Sequence, residues 1–357
     1  MKTYIKFLIT LFNISFFKVF TIFFMIIFII NILDQVEFFK SFNLSFLYLV
    51  FLSFLNTPSI IFEILPFIFL LATQLFFIKL LDKNELEIFK YNGLDNMKII
   101  KILSIYSFVL GIIFIVFFYN ISSVLKNSFL QIKNSYTKDD KYLAVITENG
   151  IWIKDEINNN INIVNAKSVD NEFLLEVSIT QFNKTFEILR IIKSERVNIA
   201  SFDWIIINPR IIKNNIESFK DQLILTSNFD LKKINTLFSN LYSLTIPDLI
   251  KLKKNYKSLN YSVIDLDSHL YKIFSYPLYL MLITVFSAII MLSAGYQKNT
   301  LFTVIYGVFL SVIIYYINYF LNILGTNEKI PLFLSIFLPL IILSIINFTS
   351  IIKLNEK

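Results

Sequence analysis

Six apolar runs punctuate the chain: Phe7–Leu33, Ser59–Leu81, Ile99–Asn120, Ile273–Ala294, Thr300–Leu321 and Leu332–Ile352. Each has about the 20 or more residues that a helix needs to cross a hydrocarbon core. Leu44–Leu55 is apolar too, but it is too short to cross, and Pro58 separates it from the next run. It reads as an interfacial or kinked leader to the second span. Between the third and fourth runs the period changes. Across Ser122–Tyr271, short stretches alternate apolar and polar positions in the manner of half-buried strands. Phe173–Phe182 is the clearest, followed by Thr185–Ile192 after an Asn183-Lys184 turn. Tyr142–Thr147, Ile151–Lys154, Ile161–Ala166, Arg196–Ala200, Trp204–Ile207 and Gln222–Thr226 are further candidates. In the first of these, Phe173, Leu175, Val177 and Ile179 are expected inside, with Leu174, Glu176, Ser178 and Thr180 on the other face. Helical pattern returns at Ile246–Ser258, with Pro247 near its start.

These elements predict an α-helical polytopic membrane protein with an inserted all-β domain, a sandwich or roll. Residues 1–121 hold three spans and an elbow at about 83–92, residues 122–271 the β domain and its return linker, and residues 272–357 three more spans. At 56% hydrophobic, with 40 Phe and 18 Tyr, the composition suits a membrane protein better than a soluble one. The first run exceeds the apolar region of a cleavable signal and lacks a small-residue cleavage site, so it reads as a lasting anchor. The formal net charge of +7 matters less than where the lysines fall. With the N-terminus inside, the cytoplasmic segments hold Lys2, Lys6, Lys79, Lys83, Lys90, Lys98, Lys101, Lys298, Lys353 and Lys357, against Lys40 and Lys329 outside. That asymmetry puts both termini in the cytoplasm and the β domain on the far side.

Much chemistry is missing. There is no Cys and a single His, His269, which leaves no thiolate or multi-His metal centre. None of the six glycines sits in a phosphate loop, and no nucleophile elbow occurs. Neither a cofactor nor a nucleic acid is expected. His269, beside Asp265 and Asp267 at the outer edge of the fourth span, reads as an interfacial polar residue rather than a base. Lys18 lies mid-run in the first span, where it either snorkels or faces a partner subunit. Glu63 lies close enough to the outer face to be simply solvated.

The elbow at Lys79–Lys101 concentrates short-loop charge. Asp82 and Glu85 have the spacing of a capping box, Gly93 suits a left-handed helix end, and Asp95 can cap the third span. These signals predict a helix of about 10 residues lying under the membrane. Leu86, Phe89 and Met97 then face lipid or neighbouring spans, while Glu85, Glu87 and Lys90 point elsewhere. Glu85 is a cap on this spacing, or a carboxylate offered to a partner.

Leu65-Pro66-Phe67-Ile68-Phe69-Leu70-Leu71-Ala72, then Asn84-Glu85-Leu86-Glu87-Ile88 and Asn92-Gly93-Leu94, resemble the lipopolysaccharide export permeases (the LptF/LptG, or YjgP/YjgQ, family). Gly150-Ile151-Trp152-Ile153-Lys154-Asp155, Ser178-Ile179-Thr180-Gln181-Phe182-Asn183 and Trp204 fit its LptG branch. Leu244-Thr245-Ile246-Pro247-Asp248-Leu249 and Tyr276-Pro277-Leu278 fit the family as well, and Leu324-Gly325, Ile330-Pro331 and Leu338-Pro339-Leu340 complete its pattern. The resemblance covers nearly the whole chain.

It implies a non-catalytic permease subunit of an ABC exporter in the bacterial inner membrane. Its partners would be a homologous LptF-like permease and a cytoplasmic LptB-like ATPase dimer. Lipopolysaccharide would pass over periplasmic jellyroll-like domains to LptC/LptA-like bridge proteins. The resemblance places ATPase coupling on Glu85, with Lys83, Glu87 and Gly93 beside it, and substrate contact on Asp34, Gln35 and Lys40, with Lys18 deeper in the first span. The chain departs from the family where Asn31, Glu37 and Phe38 stand in place of usual lysines. Two other readings compete: a mechanotransmission-type ABC membrane subunit, usually of four spans, and a membrane lipid-modifying enzyme with its site in the outer domain.

Overall fold

The computed structural model describes residues 3–42, 44–136, 151–157, 160–170, 172–213, 216–231, 234, 240–258, 262–294 and 300–355. The candidate strand Tyr142–Thr147, Gly150, and Lys2, Lys298 and Lys357 lie outside them. The chain divides into two compact units, Met1–Lys126 with Ile264–Lys357, and Asn127–Val263.

In the first unit, α1 (Thr3–Phe38) and α2 (Phe46–Asp82) are followed by the short α3 (Glu85–Tyr91). Next, α4 (Asn96–Ile113) runs through a six-residue π segment, Phe114–Tyr119, into α5 (Asn120–Ser135). After the β unit, which also holds α6 (Ile246–Ser258), come α7 (Ile264–Ala294), α8 (Thr300–Thr326) and α9 (Leu332–Asn355). Among the described residues six helices are long and apolar enough to cross a membrane, the third being α4 and α5 together.

Leu44–Leu55 is not a separate leader: α2 passes unbroken through Pro58 and Pro66. A proline removes the N–H that would bond the carbonyl four residues back, Phe54 O in the case of Pro58, and the same stretch carries hydroxyls that bond back to their own helix. Thr57 Oγ1 donates to Ser53 O at 2.7 Å, Ser53 Oγ to Leu49 O at 2.8 Å, and Ser59 Oγ to Asn56 O at 2.9 Å.

The most enclosed span is α7, which packs on α2, α4, α8 and α9, whereas α1 and α8 are the most exposed. Apolar contact alone discriminates poorly between helices in lipid, so interhelical polar bonds carry much of the specificity. Ser287 Oγ donates to Leu70 O (2.9 Å), Asn347 Nδ2 to Leu282 O (2.9 Å), and Thr284 Oγ1 to Ser107 Oγ (3.0 Å). At the α1–α2–α4 junction, Phe12, Phe16, Phe69 and Phe114 form a ring cluster. Tyr106 closes it edge-on to Phe12, with its hydroxyl donating to Asn13 at 2.7 Å.

The second unit is one antiparallel sheet. Its strands are β1 (Ile151–Ile157), β2 (Asn160–Ala166), β3 (Ser168–Asp170), β4 (Phe173–Phe182), β5 (Ile188–Asn198), β6 (Asp203–Ile207), β7 (Arg210–Lys213), β8 (Ile216–Phe219) and β9 (Gln222–Thr226). The expected strands Thr185–Ile192 and Arg196–Ala200 merge into β5. Short, polar β3, β7 and β8 escape sequence reading. Both β2 and β3 pair with β4 in one continuous register; β6 with β7 does the same against β5, and β9 with β8 against them. The pairing is therefore a meander in which β4 and β5 run unbroken, while β2–β3, β6–β7 and β8–β9 are each a long strand interrupted once. No Greek-key crossover occurs among the described strands.

Those registers align Lys167, Glu176, Glu195, Asn208 and Asp221 in one row across the sheet. Glu176 and Asn208 both take left-handed backbone, at φ 48°. The buried parity inverts there: Leu174 is buried on one side of Glu176, and Val177 and Ile179 on the other. The row is a crease. It corrects the strict alternation expected for Phe173–Thr180, because Phe173 and Leu175 are only half-buried while Leu174 is fully so.

On one side of the crease, Ile153, Val164, Ile179, Ile192 and Ile211 lie side by side on adjacent strands, all buried. On the other lie Val169, Leu174, Val197 and Ile206. The two halves face each other. Asn228, just past β9, donates from its backbone N (3.2 Å) and Nδ2 (2.8 Å) to the Asp155 carboxylate on β1, across the crease. Trp204 is wholly buried beneath that segment, its Nε1 donating to Phe229 O at 2.7 Å.

Candidate functional site

The elbow forms where α2 ends at Asp82 and the chain turns through Lys83 and Asn84. Asn84 occupies the left-handed region at φ 55°. The expected capping box is absent: Asp82 belongs to α2, Asn84 precedes α3, and no side chain caps the helix. The first turn instead carries Glu85 and Glu87, which favour a helix N-terminus through its dipole.

At the other end the glycine reading holds. Gly93 has φ 74°, its N–H donates to Lys90 O at 3.0 Å, and the Leu94 N–H reaches back to Phe89 O at 2.9 Å. This pair of bonds makes a Schellman closure. Asp95 precedes α4, but its carboxylate pairs with Lys98 at 3.6 Å instead of capping, and Lys98 Nζ also donates to Gly93 O at 2.7 Å.

One face of α3 is anchored. Leu86 is buried, and the Phe89 ring lies 5.8 Å from Phe7 of α1. The opposite face is apolar and open: Ile88 is exposed, and Tyr91 is 89% exposed. Lys83 and Glu87 are exposed beside it. Glu85 differs from both: it is partly buried, and its Oε2 is enclosed without a hydrogen-bond partner. Below the elbow, Lys79 Nζ donates to Ser15 Oγ at 3.1 Å, linking α2 to α1. Of the four expected coupling residues, Glu85 and Glu87 lie on α3, Lys83 lies in the turn before it, and Gly93 closes it.

The expected substrate residues are less concentrated. Asp34 and Lys40 are exposed near the α1–α2 connection, whereas Gln35 is buried with its Oε1 unpartnered. Lys18 is exposed on α1, 16 residues before Asp34, which is about 24 Å along a helix, so it does not join them. Asn31 faces α2: its Nδ2 donates to Thr57 Oγ1 (3.3 Å), and its Oδ1 accepts from Asn56 Nδ2 (2.8 Å). An open apolar groove of ≈ 580 Å³, lined by Phe28, Leu47, Tyr48, Phe51 and Phe54, lies along the same helices.

Sequence reading did not assemble a second group. Glu63 on α2 lies within electrostatic range of Lys126 on α5 and Lys272 on α7, and Lys272 within range of Asp265. The signs balance, so this group does not replace the missing lysines of α1. His269 is buried, sharing a 3.0 Å hydrogen bond with the Tyr119 hydroxyl. Sequence separation hid the pairing, since the two stand 150 positions apart.

Residues 6–353 match a family described as lipopolysaccharide export system permease LptF/LptG. No curated protein matches the chain.

Proposed function

The chain belongs to the lipopolysaccharide export permease family LptF/LptG, and from that premise we propose that it is the LptG-like, motor-coupled subunit of an ABC-type exporter. Membership makes it a transporter subunit rather than an enzyme, and its six apolar helices make it a multi-pass membrane protein. A mechanotransmission subunit, usually of four spans, suits those six helices less well.

In this reading both termini lie in the cytoplasm of a bacterial inner membrane, as the lysine distribution favours. An LptB-like ATPase dimer receives α3. An LptF-like permease covers α1 and α8, whose wide exposed apolar faces suit a partner as well as lipid. The creased sheet acts as a jellyroll-like carrier that hands lipopolysaccharide acyl chains to LptC/LptA-like bridge proteins. Glu85 supplies the coupling contact, with Lys83 and Glu87 at its rim and Gly93 fixing the exit of the helix. Asp34, Gln35 and Lys40 border the entry of the lipid, beside the apolar groove of α1 and α2. Lys18 snorkels toward the elbow end. The cations for an anionic headgroup come from the partner permease, because the charged group around Glu63 is self-neutralised.

The observation that carries the proposal is α3 itself. It is anchored on one side by Leu86 and Phe89 and open on the other through Ile88 and Tyr91, with an enclosed, unpartnered Glu85 oxygen between. An enclosed carboxylate oxygen without a donor is unfavourable until a partner supplies one. Purification of the tagged chain in mild detergent, followed by identification of bound proteins, tests this. Recovery of an ATPase and a second six-span permease is expected; recovery of neither would overturn it.

A further inference from the structure

The interior of the β unit contains one row that breaks the apolar pattern. Asp155, Asn162, Gln181 and Arg190 lie side by side on adjacent strands, two residues along from the row Ile153, Val164, Ile179 and Ile192. Side chains two residues apart on a strand share a face. The polar row therefore opens onto the same interior as the isoleucines. It is deeply placed: Asp155 and Asn162 are each 2% exposed, and Gln181 is buried.

Buried polar groups in native proteins almost always have partners. Here the neighbours are taken. Asp155 accepts both of its bonds from Asn228, and Gln181 Oε1 accepts from Arg190 Nε at 2.7 Å. Between them, Asn162 Oδ1 is enclosed with no hydrogen-bond partner. A leucine there would be isosteric and would avoid the desolvation cost of an unmet acceptor. The arrangement is thus a lone acceptor set among apolar side chains in the interior of the sheet, with its flanking polar groups satisfied by others.

We infer that Asn162 is a recognition point for a hydroxyl group carried on an otherwise apolar acyl chain, which it holds by accepting the hydroxyl hydrogen while the chain lies on the Ile153–Val164–Ile179–Ile192 row. The inference rests on the proposal that acyl chains enter this sheet, and it adds a chemical selectivity to that path. A plain acyl chain would leave the acceptor unmet. A hydroxylated one meets it, and its hydrocarbon covers the neighbouring row. Asp155 and Asn228 are the contact between the two sheet layers, so entry of a chain beside Asn162 also bears on the bond that closes them.

Crosslinking of the full chain, purified with its partners, tests this. A photoreactive benzoylphenylalanine replaces Ile179. The probes are two synthetic phosphorylated glucosamine lipids, one with 3-hydroxytetradecanoyl chains and one with tetradecanoyl chains. The hydroxylated lipid is expected to crosslink roughly three- to tenfold more, the selectivity of a single net hydrogen bond. Asn162→Leu should bring that ratio to about one while leaving the tetradecanoyl signal intact, and Asn162→Ala serves if leucine prevents folding. Equal crosslinking of both lipids in the parent, or a ratio unchanged by both variants, would overturn the inference and leave the carrier proposal standing. Crosslinking of neither lipid would sink both.

Discussion

Gly111 of α4 approaches Pro277 of α7 so closely that a Cβ on the glycine would sit 2.7 Å from the proline Cα and 3.0 Å from its Cβ. Neither atom can rotate away, so a side chain there must separate two helices. Gly111→Ala is expected to lower stability by about 1–3 kcal/mol through overpacking. Gly93→Ala is the contrast. Nothing lies within 4 Å of a Cβ there, but φ is 74°, so the cost is about 1–2 kcal/mol of local backbone strain. Thermal unfolding in detergent should show a lowered midpoint for Gly111→Ala, with the elbow variant instead raising proteolytic nicking between α3 and α4. Equal midpoints for Gly111→Ala and the parent would mean that the α4–α7 contact is looser than these distances.

Glu85→Gln and Glu85→Ala separate coupling from helix stability. No side-chain cap exists at the start of α3, so neither variant removes a capping bond. The surface of the elbow should tolerate both to within about 0.5 kcal/mol. Lipid-stimulated ATPase turnover of the assembled complex is expected to fall roughly ten- to hundredfold for Glu85→Ala, the scale of one charged hydrogen bond of roughly 1.5–3 kcal/mol. Glu87→Ala, at an exposed rim position, should change it less than threefold. Normal turnover in Glu85→Ala would remove this residue from the coupling contact.

Local signals were legible in the sequence; those that depend on a neighbour were not. The six runs announced themselves by length, and Gly93 by its position after Lys90. Pro58 misled because an apolar helix can run on through a proline inside a bundle, as α2 does from Phe46 to Asp82. The Asp82–Glu85 spacing misled because α2 runs on to Asp82 and leaves no free helix start there. Within the sheet, Phe173–Thr180 alternates cleanly in sequence, but the parity break at Glu176 belongs to a row shared with Lys167, Glu195, Asn208 and Asp221. Such a row is visible only once the registers are known. The same holds for the lone acceptor at Asn162.

Asn31 stands where the family resemblance leads one to expect a lysine, and its contacts with Asn56 and Thr57 give the physical meaning of that change. The position faces α2 rather than a headgroup. Asn31→Leu should cost about 1–3 kcal/mol by leaving the Asn56 amide without its acceptor. Asn31→Lys should cost more, since an ammonium would be buried between two apolar helices. Denaturation in mixed detergent should rank parent, Asn31→Leu and Asn31→Lys in falling order. A lysine variant as stable as the parent, with increased binding of anionic lipid, would show that the side chain turns outward.

The crease makes a last prediction, because its members differ in backbone while sharing one row. Glu176 and Asn208 lie at φ 48°, whereas Glu195 between them is not left-handed. A β-branched residue is strongly disfavoured at positive φ. Glu176→Val and Asn208→Val are therefore expected to destabilise the sheet by about 2 kcal/mol each, beyond the small loss of the exposed Lys167–Glu176 pair at 2.5 Å. Glu195→Val, on an ordinary strand backbone, should change stability by less than about 0.5 kcal/mol. Glycine should be tolerated at both left-handed positions, the relieved Cβ contact offsetting the added chain entropy of about 0.5–1 kcal/mol. Unfolding followed through the fluorescence of buried Trp204, in a Trp152→Phe background, reads the series directly. The row is a crease if valine separates Glu176 and Asn208 from Glu195. If valine acts alike at all three, the parity inversion must come from side-chain packing, and the left-handed residues follow from it rather than cause it.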